Sequence, residues 1–306
     1  MTPLMTRLCA MLLIVAVGWA AVKLRVLRTE DSRVLSRLLL YILQPCLVTR
    51  AFLIELTPAR MSGFLAAAAF TTVIYVFEII LLRSVRRPLG LDGVDRATLI
   101  YSNIGNLVLP LIQTTLGTEY VFYISALQIP FNLFIWTHAV KIIGGGTNLK
   151  KALTSPPVVA VFIGLILLFS GIALPPVPDA VVGTLADMVG GLSMLSIGMT
   201  IASYRLKDVF LNGRAYLLAA GRLLVMPLIM LGVLWASRIL VIHPEWVSVF
   251  QVVVIALSAP TAATVAQLAI LHNKRPVDAS IYNMLSTVLY ALSLPLVLYI
   301  YSLLFS

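Results

Sequence analysis

A chain of 306 residues that is 60% hydrophobic and only 11% charged is no ordinary soluble domain, in which charged side chains make up roughly a quarter of the composition. Its mean hydropathy is +1.02. The net charge of +10 would fit a nucleic-acid binder, but the basic residues gather in alternate loops, which excludes that explanation and makes the excess an orientation signal.

Apolar runs near the ~20 residues that cross a bilayer recur over residues 4–22, 35–54, 62–82, 97–117, 120–140, 157–174, 180–202, 215–236, 246–270 and 279–302. They predict an all-α polytopic membrane protein of ten transmembrane helices. The first run is short and ends in Gly18-Trp19-Ala20-Ala21, the outline of a cleaved signal peptide. The basic cluster from Lys23 to Arg28 directly after it would resist translocation, so the run is read as the first span. Cys9 and Cys46 lie in apolar segments without metal-ligand spacing and are read as structural thiols.

Along the chain, Lys23, Arg25, Arg28, Arg33 and Arg37 separate spans 1 and 2, and Arg83, Arg86, Arg87 and Arg96 separate spans 3 and 4. Lys141, Lys150 and Lys151 follow span 5, Arg205, Lys207 and Arg214 follow span 7, and Lys274 and Arg275 follow span 9. Of the 22 basic residues only Arg7, Arg50, Arg60, Arg222 and Arg238 fall elsewhere. Positive loops stay cytoplasmic, so both termini are expected outside the cytosol, in a multi-pass protein of the cytoplasmic membrane.

Ten spans with both ends on one side divide into five plus five, the second half entering the membrane upside down. This is the inverted-repeat plan of many secondary transporters. It predicts a first repeat over 1–140, a Gly- and Lys-containing cytoplasmic linker over 141–156 and a second repeat over 157–306. Span 4 contains Asn103, Gly105, Asn106 and Pro110, each unfavourable in a lipid-buried helix. Span 9 contains Ser258, Pro260 and Thr261. One such proline can simply kink a helix. Two, a little past the middle of corresponding spans, point to broken crossover helices and a midplane binding site, because non-helical backbone is tolerated at that depth where protein or water satisfies it.

The residue types suit an anion. Broken helices present unpaired N–H groups and positive dipole ends, Asn103 and Asn106 add amide donors, and Gly105 permits close approach. On span 5, Gln128 and Asn132 lie one turn apart on one face. They are pocket candidates, with hydrogen-bonded glue between helices as the alternative. Glu78, the one acidic residue of span 3, is a candidate proton or cation handle, with an ion-paired helix end as the alternative. Asp187 and Arg222 are read as a structural pair, Arg50 as a residue that draws anions in or snorkels, and His138 as interface packing.

The stretch "SNIGNLVLPLI" resembles the Asn-x-Gly-Asn/Phe-x-x-x-Pro signature of the auxin efflux carrier family, which includes plant PIN exporters and bacterial malate and malonate carriers. "LLLYILQPCLVTRAF", "SPPVVAVFIGLILLFSGIALP", "LSMLSIGMTIA", "APTAATVAQLA" and "LSTVLYALSLPLVLYI" are similar to its spans 2, 6, 7, 9 and 10, in order. The short first span and the missing hydrophilic central loop are departures, and the second argues for the compact bacterial branch. The resemblance implies a fold related to bile-acid sodium symporters and sodium/proton antiporters. Spans 1, 2, 6 and 7 would form a scaffold, and spans 3–5 and 8–10 a transport unit with spans 4 and 9 crossing at their centres. It also implies a homodimer and a supporting acidic residue on span 3, here Glu78.

Function follows as transport of small organic anions, auxin-like or dicarboxylate, by alternating access at the crossover. The expected partners are the anion and the lipid bilayer. No cofactor or metal is expected beyond a coupling proton or sodium ion. A sodium- or proton-coupled carrier of another solute class is the principal rival, and a membrane sensor a further one. An intramembrane enzyme would need a nucleophile–base or metal set that the sequence lacks, and no Gly-rich phosphate loop supports ATP-driven pumping.

Overall fold

The structure is a computed structural model that describes residues 3–53, 58–104, 122–144, 156–203 and 210–305, with Val108, Ile112, Leu116, Gly117, Tyr120, Thr154 and Lys207 as separate positions. Among these residues the chain is helical, with no strand and one isolated antiparallel bridge between Ser102 and Thr261. Lipid offers the backbone no hydrogen-bond partners, so apolar segments of this length satisfy themselves as helices.

In chain order the helices are α1 (Pro3–Lys23), α2 (Asp31–Ala51), α3 (Pro58–Ser84), α4 (Gly93–Ile100), α5 (Phe122–Gly144), α6 (Pro156–Ser170), α7 (Pro176–Ile201), α8 (Gly213–Ser237), α9 (Val247–Leu257), α10 (Ala263–Leu271) and α11 (Pro276–Phe305). Six of them, α2, α3, α5, α7, α8 and α11, are long and apolar enough to cross a membrane. Helix α5 runs on to Gly144, so the stretch read as a linker from 141 begins with its last turn. Wide π turns interrupt α2 at Leu39–Leu43, α5 at Ile135–Ala139 and α8 at Gly221–Val225.

Large apolar side chains exposed on outer faces, such as Leu13 on α1, Ile166 on α6 and Leu292 on α11, suit contact with lipid tails. Inside, glycines set the closest helix contacts. A Cβ on Gly18 of α1 would lie 2.2 Å from the Leu195 carbonyl oxygen of α7, and one on Gly198 of α7 would lie 2.0 Å from that of Val15. On the neighbouring pair, a Cβ on Gly164 of α6 would lie 2.3 Å from the Phe52 ring that follows α2. Small residues let helices approach in a membrane, where no hydrophobic drive holds them together. Cys9 is exposed and Cys46 half-buried, and both are free thiols.

The N-terminal end of α4 is fastened by charge. Asp92 and Asp95 form a reciprocal capping box. The buried Asp95 carboxylate accepts from Arg214 at 2.5 Å and from Arg275 at 3.1 Å. Arg275 also reaches Asp92 at 2.5 Å and Asp278 at 2.7 Å. One network thus ties together the first turns of α4, α8 and α11. Burial pushes the Asp92 carboxyl up, but the Asp95 N–H and the Arg275 guanidinium outweigh it and hold it below the usual carboxylate range.

Candidate functional site

Helix α4 ends at Ile100 because Tyr101 turns extended, with φ −94° and ψ 115°. Helix α9 ends at Leu257, and Ser258–Ala262 is non-helical before α10 begins. The two breaks meet. Asn103 N–H donates to the Pro260 carbonyl at 2.7 Å, and Ala262 N–H donates to the Tyr101 carbonyl at 2.8 Å. This is a short antiparallel pairing centred on Ser102 and Thr261.

Leaving helical geometry in an apolar interior frees backbone groups, and each needs a partner. Besides the pairing, Thr261 N–H donates to Ser286 Oγ at 3.2 Å, and its carbonyl accepts from Asn283 Nδ2 at 2.6 Å. Thr261 Oγ1 donates to the Thr98 carbonyl at 3.2 Å. Four further carbonyls converge on Arg222, which is 1% exposed. Its Nη1 donates to Leu99 at 2.8 Å and to Ile100 at 3.0 Å, its Nε to Ala259 at 3.1 Å, and its Nη2 to Leu257. The arginine therefore caps the C-terminal ends of α4 and α9 together.

Several buried polar atoms around this junction have no hydrogen-bond partner among the described residues: Thr98 Oγ1, Asn103 Nδ2, Ser258 Oγ and Asn283 Oδ1. Such groups are costly unless something engages them. Helix α10 starts from Ala262 with no side-chain cap, so its dipole end also faces the junction bare of a side-chain acceptor. Donors, hydroxyls and a positive helix end in one buried place can hold a polar or anionic group.

The structure brings Asn103, Ser258, Pro260 and Thr261 together at the crossing. Gly105, Asn106 and Pro110 lie outside the described residues. Gln128 and Asn132 are buried and bonded to each other: Asn132 Nδ2 donates to Gln128 Oε1 at 2.9 Å and to its carbonyl at 2.8 Å. That pairing lies within α5 and does not bridge helices, while Asn132 Oδ1 lacks a partner. Their helix touches the crossing through Tyr101, whose hydroxyl donates to the Phe134 carbonyl at 3.1 Å and meets His138 Nδ1 at 2.9 Å. His138 thus contacts a crossover residue and does more than pack at an interface.

Glu78 is buried, and its Oε2 has no hydrogen-bond partner among the described residues. It acts on Arg222 through space without forming an ion pair. The expected pairing of Asp187 with Arg222 does not form. Asp187 sits at the exposed side of α7 and pairs with Arg50 at 2.6 Å, while Arg50 also donates to the Gly183 carbonyl at 3.0 Å. Arg50 is thus engaged by an exposed carboxylate and a backbone carbonyl of α7. Residues that the sequence reading passed over include Ser102, Asn283, Ser286 and Gln267. Gln267 Oε1, on α10, accepts from Ser36 at 2.5 Å and from Ser196 at 3.3 Å, which joins α10 to α2 and α7.

The family model described as membrane transport protein matches residues 3–148 and 143–298. An uncharacterised transporter of Methanothermobacter thermautotrophicus is 27% identical over 303 residues, covering 94% of this chain and 95% of that protein.

Proposed function

The chain belongs to the membrane transport protein family, that of the auxin efflux carriers, and from that premise we propose that it is a secondary transporter of small organic anions which bind at the crossing of α4 with α9 and α10. The carrying observation is a buried junction that holds a positive helix end and unpartnered donors such as Asn103 Nδ2. A carboxylate complements both.

Two inverted repeats of five spans, with both termini outside the cytosol and the broken spans at their crossing, are the topology this reading uses. Spans 1, 2, 6 and 7 then stand as a scaffold, paired in a homodimer, and the remaining spans move against them. The small polar contact of Gln267 with Ser36 and Ser196 lies across that boundary, where bonds of modest strength can break and reform in each cycle. Cysteines placed at Leu116 and Pro178 should react with an impermeant thiol reagent from outside intact cells, and one at Gly146 should not. Labelling of Gly146 from outside would overturn the topology.

Reconstituted protein tests the function. Uptake and efflux are measured for a panel of mono- and dicarboxylates and indole acids, under imposed proton and sodium gradients. At least one carboxylate should be carried, saturably and in competition with its analogues. No flux of any anion under any gradient would refute the proposal.

A further inference from the structure

We propose that Arg222 is a tethered cation, which takes the place that a coupling metal ion would otherwise have to fill, so that the crossing assembles without sodium. The consequence for transport rests on the anion-site reading above, whereas the claim about assembly rests on the contacts of Arg222 alone.

The charge at the junction follows from helix geometry. Helices α4 and α9 both end there, and a helix C-terminus carries about half a negative elementary charge on its unpaired carbonyls. Two ends directed at one spot concentrate unpaired carbonyls there, in surroundings that screen their charge poorly. Such carbonyls need donors, and a cation, bound from solution or built in, serves both ends at once. Arg222 meets the requirement at both ends with one group: it donates to Leu99 and Ile100 of α4, to Leu257 of α9 and to Ala259 just beyond.

Its side chain suits the task. A guanidinium has five N–H donors in a flat fork and stays protonated at every working pH. Four of those donors are used on carbonyls, and no carboxylate forms an ion pair with it among the described residues. The backbone supplies the counter-charge. Local structure delivers the group: Arg222 stands in the π turn Gly221–Val225, and a Cβ on Gly221 would lie 2.8 Å from the Leu99 side chain. A residue without Cβ thus lets α8 come close where the arginine enters. We read Arg222 as a positioning residue that fixes the charge of the crossing through the transport cycle. Coupling, where there is any, falls to a protonatable group and not to a metal ion.

The melting temperature of the purified protein, in sodium chloride and in choline chloride of equal ionic strength, tests this. Wild type is expected to melt at the same temperature in both. Arg222→Gln removes the charge and should melt roughly 10 °C lower in choline, the scale of losing two or more charge-assisted hydrogen bonds. It should regain part of that loss in sodium, because the freed carbonyl oxygens suit a hard cation. Arg222→Lys keeps a charge with three donors. It should melt between the two and ignore sodium, and it decides the matter should the glutamine variant not fold. Sodium that stabilises the wild type or the lysine variant overturns the proposal. So does a glutamine variant weakened equally in both salts, which would mark Arg222 as a packing residue. None of these readings needs flux, so failure of the anion-site reading would show separately, as absent transport with the salt responses intact.

Discussion

Two of the places where backbone meets backbone in this protein are held by different physics. Along α1 and α7, Gly18 and Gly198 let two helices come into close contact by shape. At the crossing, Tyr101–Asn103 and Pro260–Ala262 leave helical geometry and take their bonds from each other, from Arg222 and from α11. A seam held by shape has nothing to exchange with a ligand. A junction held by hydrogen bonds and charge carries polar groups that a solute can engage. The contrast fits a rigid frame beside a working site.

The largest effect should come from breaking the seam. Gly198→Val forces a side chain onto the Val15 carbonyl, where even a Cβ lies at 2.0 Å. The expected loss is about 3 kcal/mol or more of stability, seen as a fall in melting temperature. Gly191→Val lies on the same helix with nothing within 4 Å of its Cβ, and it should cost nothing. Equal effects at both positions would mean that α7 is not seated by close contact.

A smaller loss should follow from the charge network that anchors α4. Asp95→Asn removes a buried carboxylate shared by Arg214 and Arg275, at a cost of about 2 kcal/mol. The same network makes stability depend on pH. The Asp92 carboxyl is held below its ordinary value, so it binds a proton less readily in the folded state than in the unfolded one. Its contribution is complete above the unfolded value, about 3.9, and drains away as pH falls through the lower folded value. Melting temperature measured against pH should decline at that acid end, and Asp92→Asn should flatten the decline.

How much of this contrast the sequence carries depends on the kind of signal. The helices are legible because apolar runs in lipid have no other way to satisfy their backbone. The second break is legible as well, since Ser258, Pro260 and Thr261 interrupt an otherwise apolar span. The role of Arg222 is not. A charge inside a span announces itself, but sequence does not say toward which neighbour a helix face is turned, and charge alone suggested Asp187. The true partners are carbonyls, which every residue has and no sequence pattern marks. Asn283 and Ser286 are one turn apart on α11, a polar pair in an apolar helix, and that spacing is the signal that was available for them. Gly18 and Gly198 are legible only once α1 and α7 are known to touch.

Closer to the site, effects should move from stability to function. Glu78 Oε2 lacks a partner, so Glu78→Gln should alter melting temperature little. If Glu78 carries the coupling proton, the variant should lose the response of transport to an imposed pH gradient. A response equal to wild type would remove Glu78 from the mechanism.

The crossing as the solute site is tested most directly on Asn103. Its N–H holds the Pro260 carbonyl through the backbone, which alanine preserves, while its Nδ2 bonds to nothing among the described residues. Carboxylate affinity and melting temperature are to be measured side by side on wild type and Asn103→Ala. The account predicts an unchanged melting temperature and binding weaker by roughly 1–3 kcal/mol, the penalty for a lost polar partner at a buried site. A lower melting temperature with undiminished affinity would contradict it, and would make the asparagine part of the frame.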